Sequence, residues 1–319
     1  MKVVIIGGVA GGATAAARIR RLDEKAEIVV FERSGFISYA NCGLPYYIGG
    51  TIEDEGDLTL QTPESFYKRF RVKMNVRHEV TALHPESKMV TVKNIENGTV
   101  FTETYDKLIL SPGAKPIKPN FEGIDSDKIF TLRTVEDTLK IKKFINEKYP
   151  KSAVVVGGGF IGIEVAENLR ELGIDVTLVE AADQLMAPFD SDMASFIHAE
   201  LRKNGINLML GRFVEGFADT DDGICVKLKN SPTLHANMVV MAIGVAPETT
   251  LAKDAGLELG IKGSIVVNDR METSVTDIYA VGDAVQIRNF VTDTDALISL
   301  AGPANKQARI AADNICGID

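Results

Sequence analysis

The sequence predicts an α/β fold of two parallel-sheet units, and three features predict it. A short β-branched run at residues 3–6 leads through glycines into a helix and then a second strand at 28–31, which is a βαβ pattern. The pattern returns near residue 152, with a strand at 153–156, a turn at 157–162, a helix at 163–172 and a strand at 176–179. In both repeats glycines stand between the first strand and the helix, where the chain must turn tightly.

Taken in order, the run at 3–6 is of the kind buried on both faces of a parallel sheet, and the alanine-rich stretch from about 11 to 22 reads as its crossover helix. Residues 72–76, 79–83, 89–93 and 100–104 read as short meander strands, with Asn97-Gly98 as a turn signal between two of them. Residues 107–110 return to a buried strand, and 134–149 read as a helical connector. Beyond the second βαβ pattern, 239–243 and 278–281 read as core strands, the last closed by Gly282 and Asp283. A strand this late completes the first sheet, so the first domain is interrupted by the second. The expected division is 1–115 with 246–319, and 116–245.

Size and charge narrow the function. With 319 residues and 45% hydrophobic content, the chain supports about two domains with their own cores. Acidic residues outnumber basic ones, 44 to 35, for a net charge of −9, which argues against nucleic acid or anionic lipid as a general partner. No apolar run approaches the roughly 20 residues that span a bilayer. The start lacks the pattern of a signal peptide, so the expectation is a soluble cytoplasmic protein. Three widely spaced cysteines suit neither a disulfide scaffold nor paired zinc ligands, and the four histidines show no ligand spacing.

The second turn carries a complete G-x-G-x-x-G in Gly157, Gly159 and Gly162, and Glu180 follows at the next strand end. Such glycines let a pyrophosphate reach a helix N-terminus, where unpaired N–H groups and the helix dipole favour negative charge. Glu180 suits a ribose diol and repels a 2′-phosphate, and Ala181 and Ala182 supply no arginine, so NADH is favoured over NADPH. The first turn, Gly7, Gly8, Val9, Ala10, Gly11 and Gly12, keeps the outer glycines but has Val9 in the middle. Glu32 supplies its ribose acceptor, and Gly282-Asp283 offers a second polyol contact. Two Rossmann-like dinucleotide sites suggest one bound flavin and one passing nicotinamide.

Cys42, between Asn41 and Gly43-Leu44-Pro45, enters a new helix shortly after Glu32. A thiol at a helix N-terminus is a better nucleophile, and its polar neighbours Ser38 and Asn41 favour that role over packing. Cys225, in an alternating stretch, reads as packing, and Cys316 lies near the chain end. Thr14, Arg18 and Arg21 share one face of the first helix, either as a solvated basic face or as an anion site.

With these motifs the chain resembles the single-cysteine FAD-dependent pyridine nucleotide-disulfide oxidoreductases, in particular the coenzyme A disulfide reductases. The resemblance covers 7–12, 38–50, 110–113, 157–164, 244–247, 273–284 and 300–307. It implies that Cys42 cycles between thiolate and a mixed disulfide with coenzyme A. It places Glu32, Ser111, Gly113, Arg133 and Asp283 at FAD, Ile161, Glu180 and Gly244 at NAD(P)H, and Glu164 in the second glycine segment. Thr14, Arg18, Arg21, Ser38 and Asn41 match positions that hold coenzyme A. A related persulfide is the other acceptor consistent with this pattern. Ala10 stands where related NADH oxidases carry a histidine, which demotes the alternative of a flavin NADH oxidase. The family adds a C-terminal dimerisation domain, so the implied whole protein is a homodimer and this chain a fragment. A nucleotide-binding fragment without turnover is the remaining alternative.

Overall fold

The computed structural model describes residues 1–318 and divides into two compact units. The first comprises Met1–Tyr39, Thr59–Lys115 and the chain from Ala246 onward; the second comprises Ala40–Leu58 and Pro116–Val245. Eight helices occur among the described residues: α1 (Ala10–Leu22), α2 (Leu44–Gly49), α3 (Pro63–Phe70), α4 (Val135–Lys148), α5 (Phe160–Glu171), α6 (Ser191–Lys203), α7 (Thr250–Asp254) and α8 (Ala301–Ile315). The segment Ala40–Leu58, assigned by sequence to the first domain, makes its contacts in the second unit, because α2 packs on α4 and α5 and buries Leu44 and Ile48 there.

In the first unit a parallel sheet runs in the order Ile278–Ala280, Lys107–Leu110, Lys2–Ile6, Glu27–Glu32 and Lys73–Val76. The central strand is flanked on both sides, with Ile5 opposite Val30 and Ile109. Its unbroken apolar run follows from burial on both faces, with Val3 and Ile5 in one core cluster and Val4 and Ile6 in another. Across one face the alanines of α1 (Ala13, Ala15 and Ala16) and those of α8 (Ala308, Ala311 and Ala312) share a core, the small side chains allowing the two helices to pack closely.

Residues 72–76 correct the sequence expectation. They form the parallel edge strand Lys73–Val76, paired with Glu27–Glu32, and not part of the meander. With Lys73 exposed and Met74 buried, the edge strand alternates as an antiparallel strand would. The meander has three strands, His78–His84, Met89–Asn94 and Val100–Thr104.

The second unit repeats the plan in the order Asn207–Met209, Asp175–Val179, Ser152–Val156, Met238–Met241 and Ile129–Thr131. Val155 sits between Leu178 and Val240 as Ile5 sits between its neighbours. A three-stranded antiparallel sheet, Val214–Thr220, Gly223–Leu228 and Leu234–Ala236, contributes Phe217, Ile224 and Val226 to this core.

Candidate functional site

In the second unit the first parallel strand ends at Val156 and the chain reverses through Gly157, whose φ is +108°. A Cβ there would lie 2.3 Å from Ala242 O, and one at Gly162 would lie 1.9 Å from Gly157 O, so both positions exclude a side chain. Gly158 N–H donates to Glu180 Oε2 at 2.6 Å, and Ala182 N–H donates to Oε1 at 2.8 Å. The carboxylate is thereby aimed while keeping acceptor capacity for a diol. Gly159 caps α5 with no side-chain hydrogen bond, and nothing lies within 4 Å of where its Cβ would be. Open space in front of uncapped first-turn N–H groups fits a pyrophosphate. Beside it a cavity of about 220 Å³ is lined by Gly158, Phe160, Glu180, Met186 and Pro188.

One wall of that cavity is held by a residue the sequence did not flag. His198 on α6 accepts the Leu185 N–H at Nε2, 3.0 Å away, and Met186 N–H donates to Gly158 O at 2.9 Å. Burial, with Arg202 nearby, pushes the His198 imidazole below its ordinary range and keeps it neutral, as an acceptor must be. A single histidine without a partner at ligand spacing gave no sequence signal for this latch.

The first unit carries the same turn. Gly7, at φ +100°, would place a Cβ 2.1 Å from Ser111 O, and Gly12 would place one 1.8 Å from Gly7 O. Gly8 N–H donates to Glu32 Oε2 at 2.7 Å, and Ser34 N–H to Oε1 at 2.8 Å; Glu32 is only 7% exposed. Val9 is the N-cap of α1 at φ −99°, so it does not need the positive φ that favours glycine, and α1 has no capping side chain. Ser111 Oγ lies beside Gly11 and Gly282, and Gly282 N–H donates to Gln307 Oε1 on α8 at 2.7 Å. Asp283 follows half-buried, Gly113 has φ +71°, and Ala10 opens α1. This uncapped, glycine-lined cradle with a fixed carboxylate fits a second dinucleotide.

The other cofactor candidates in the second unit lie on a helix and in connecting segments. Ile161 and Glu164 are on α5, where burial, with Glu167 adding, pushes the Glu164 carboxyl up. Gly244 has φ +111° and its carbonyl accepts Ile117 N–H at 3.0 Å. Arg133 precedes α4.

Cys42 is exposed, in the short 3-10 turn Asn41–Gly43 that runs directly into α2. It sits just ahead of the helix, not within it. Asn41 Nδ2 donates to Arg133 O at 3.4 Å. Cys225, expected as packing, is instead partly exposed with its sulfur 3.3 Å from His235 Nδ1. Burial, with Asp23 and Asp313 adding, pushes the Cys316 thiol up.

The basic face of α1 is partly used by the fold. Thr14 Oγ1 donates to Asn305 Oδ1 at 2.8 Å, and Arg18 makes a two-pronged pair with Asp313 at 2.6 and 3.1 Å, both partners on α8. Arg21 is exposed, its guanidinium 5.6 Å from the centre of the Phe70 ring, and Arg69 lies over the same ring at 5.2 Å. Of the three, Arg21 is the one best placed for an external anion, with Arg69, unflagged in the sequence, beside the same ring. Ser38 has φ +48° and its N–H donates to Gly8 O at 3.0 Å. No helix among the described residues is long and apolar enough to cross a membrane.

The model of the family described as pyridine nucleotide-disulphide oxidoreductase matches residues 1–308. The chain is 40% identical, over 318 residues, to coenzyme A disulfide reductase of Staphylococcus aureus (strain JH9), covering 100% of this chain and 71% of that protein. Among solved structures it is similar to reduced CoADR-RHD of Bacillus anthracis, with a TM-score of 0.97 and 49% identity. It is also similar to a NAD-dependent persulfide reductase from A. fulgidus, with a TM-score of 0.96 and 36% identity. The two alignments cover 99% and 100% of this chain but 57% and 60% of those chains, so both proteins are longer.

Proposed function

The chain belongs to the pyridine nucleotide-disulphide oxidoreductase family, and on that premise we propose that it reduces coenzyme A disulfide, or a related persulfide, with NADH through FAD and Cys42. The observation that carries this reading is the exposed Cys42 thiol, placed at the head of α2 in the unit that holds the Glu180–Gly158 nucleotide loop.

The residues present divide the work. Glu32, the 7–12 turn, Ser111, Gly282 and Asp283 would hold FAD; Glu180, the 157–162 turn and the cavity beside Met186 would hold NADH. FAD supplies, when bound, a hydride acceptor that returns the electron pair to a disulfide. The Cys42 thiolate attacks one sulfur of the substrate disulfide, so that a Cys42–S–S–coenzyme A bond forms and one coenzyme A thiol leaves. Two electrons then break that bond, regenerating the Cys42 thiolate and releasing the second thiol. The balance is NADH, one proton and one disulfide in, and NAD⁺ and two thiols out. Arg21 and Arg69, beside one Phe70 ring, would hold the phosphate-bearing part of the substrate.

Ala10 carries no proton-transferring group, which supports disulfide over oxygen as acceptor. A cytoplasmic location, a small-molecule partner and a homodimer of the whole protein belong to the same reading. Cys42→Ser should abolish NADH-driven disulfide reduction, whereas Cys225→Ser and Cys316→Ser retain it. Full turnover by Cys42→Ser would refute the proposal.

A further inference from the structure

We propose that Asn168 is a positioning residue for Cys42, through which occupancy of the glycine loop at the start of α5 sets the reactivity of that thiol. The inference rests on the reading of Cys42 as the redox cysteine and of the 157–162 loop as a nucleotide site.

Asn168 is 1% exposed on α5. It lies eight residues beyond Phe160, about 12 Å along the helix. Its Nδ2 donates to Glu164 O at 2.8 Å, which fixes the amide, because the opposite orientation would set oxygen against oxygen. Oδ1 is left buried without a hydrogen-bond partner. It faces Gly49, the last residue of α2, where a Cβ would come within 2.1 Å of it. A buried acceptor with no partner is costly, and an apolar side chain of similar size would remove the cost. What the amide gives in return is a seat: α2 rests with bare backbone on α5.

That seat reaches Cys42 by a short path. The 3-10 turn Asn41–Gly43 runs into α2, with Gly43 as its N-cap, so a displacement of α2 moves the thiol with it. The other tethers of this segment lead to α4. Lys142 Nζ donates to Ile48 O at 2.8 Å and stands 5.6 Å from the Tyr47 ring centre, and Asn41 Nδ2 reaches Arg133 O just ahead of α4. The contact with α5 joins Cys42 to a helix whose first turn carries the glycine loop. A ligand that settles the N-terminus of α5 therefore settles the seat of α2.

The test uses the whole chain and ADP-ribose, which carries the ribose and pyrophosphate parts of the cofactor without nicotinamide. Its binding is measured by calorimetry, and the iodoacetamide alkylation rate of Cys42 is followed by mass mapping, with Cys316 as internal control. Saturating ADP-ribose should change the Cys42 rate by about fivefold or more, leave Cys316 unchanged, and lose its effect on Cys42 in Asn168→Ala while still binding. Gly49→Ala, which breaks the same contact from the other side, should behave alike and serves if Asn168→Ala does not fold. Binding without an effect on wild-type Cys42, or an effect that survives in the variants, as simple shielding would, overturns the inference. Failure of ADP-ribose to bind overturns the nucleotide-site reading itself.

Discussion

His198 Nε2 accepts the backbone N–H of Leu185 at 3.0 Å, and this bond ties α6 to the loop that walls the cavity beside Gly158 and Glu180. Only the neutral imidazole accepts it. Burial first, and Arg202 second, hold the folded pKa below the ordinary 6.5. A depressed pKa gives stability that is complete above about pH 6.5 and is lost as pH falls through the folded value. The KM for NADH in the wild type should therefore rise as pH falls through the folded pKa, which lies below the ordinary 6.5. One such bond is worth about 1 kcal/mol, or roughly fivefold in KM. His198→Gln, which keeps an acceptor and cannot titrate, should flatten the profile; KM measured from pH 5 to 8 in both proteins checks this.

In the proposed reading Glu180 sets the choice between NADH and NADPH. Its oxygens already accept Gly158 and Ala182 N–H, so its charge is held in place beside the glycine loop, where it would repel a 2′-phosphate. Glu180→Ala with Ala181→Arg should raise the KM for NADH by about tenfold, the worth of a charged hydrogen bond of roughly 1.5 kcal/mol, and lower that for NADPH. Steady-state kinetics with both cofactors read the ratio directly.

Gly157→Ala should remove nucleotide binding and destabilise the second unit. The left-handed backbone alone costs an alanine about 1–2 kcal/mol, and the 2.3 Å approach to Ala242 O adds to it. Gly173, at φ +81° with nothing within 4 Å, is the control that carries strain without the clash. Thermal unfolding should place Gly157→Ala clearly below Gly173→Ala.

Arg21 and Arg18 should separate by experiment. Arg21→Ala should raise the KM for coenzyme A disulfide several-fold with kcat unchanged, and leave reduction of a small disulfide without phosphates as it was. Arg18→Ala parts Asp313 from its ion partner, so its effect should appear first in thermal stability. Paired kinetics and melting curves distinguish the two.

Much of this was legible locally. The runs at 3–6 and 153–156 sit at the centres of parallel sheets, and glycine spacing marked both turns. Val9 looked like a defect in the first turn but has a negative φ there, so the left-handed conformation that favours glycine is not needed. What the sequence hid depends on distant contacts. The edge strand Lys73–Val76 alternates because one side chain is buried and the next exposed. The membership of Ala40–Leu58 in the second unit follows from α2 resting on α4 and α5, and the latch at His198 joins residues thirteen apart. Arg18 looked like a ligand for phosphate because its partner, Asp313, lies 295 residues away.

The most direct measurement is an anaerobic titration with NADH of the purified protein supplied with coenzyme A disulfide, following the flavin spectrum and quantifying coenzyme A released after acid quench, in wild type and Cys42→Ser. The account predicts flavin bleaching in both proteins and released coenzyme A in the wild type alone. Absence of flavin, flavin that NADH does not reduce, or equal thiol release from Cys42→Ser would contradict it.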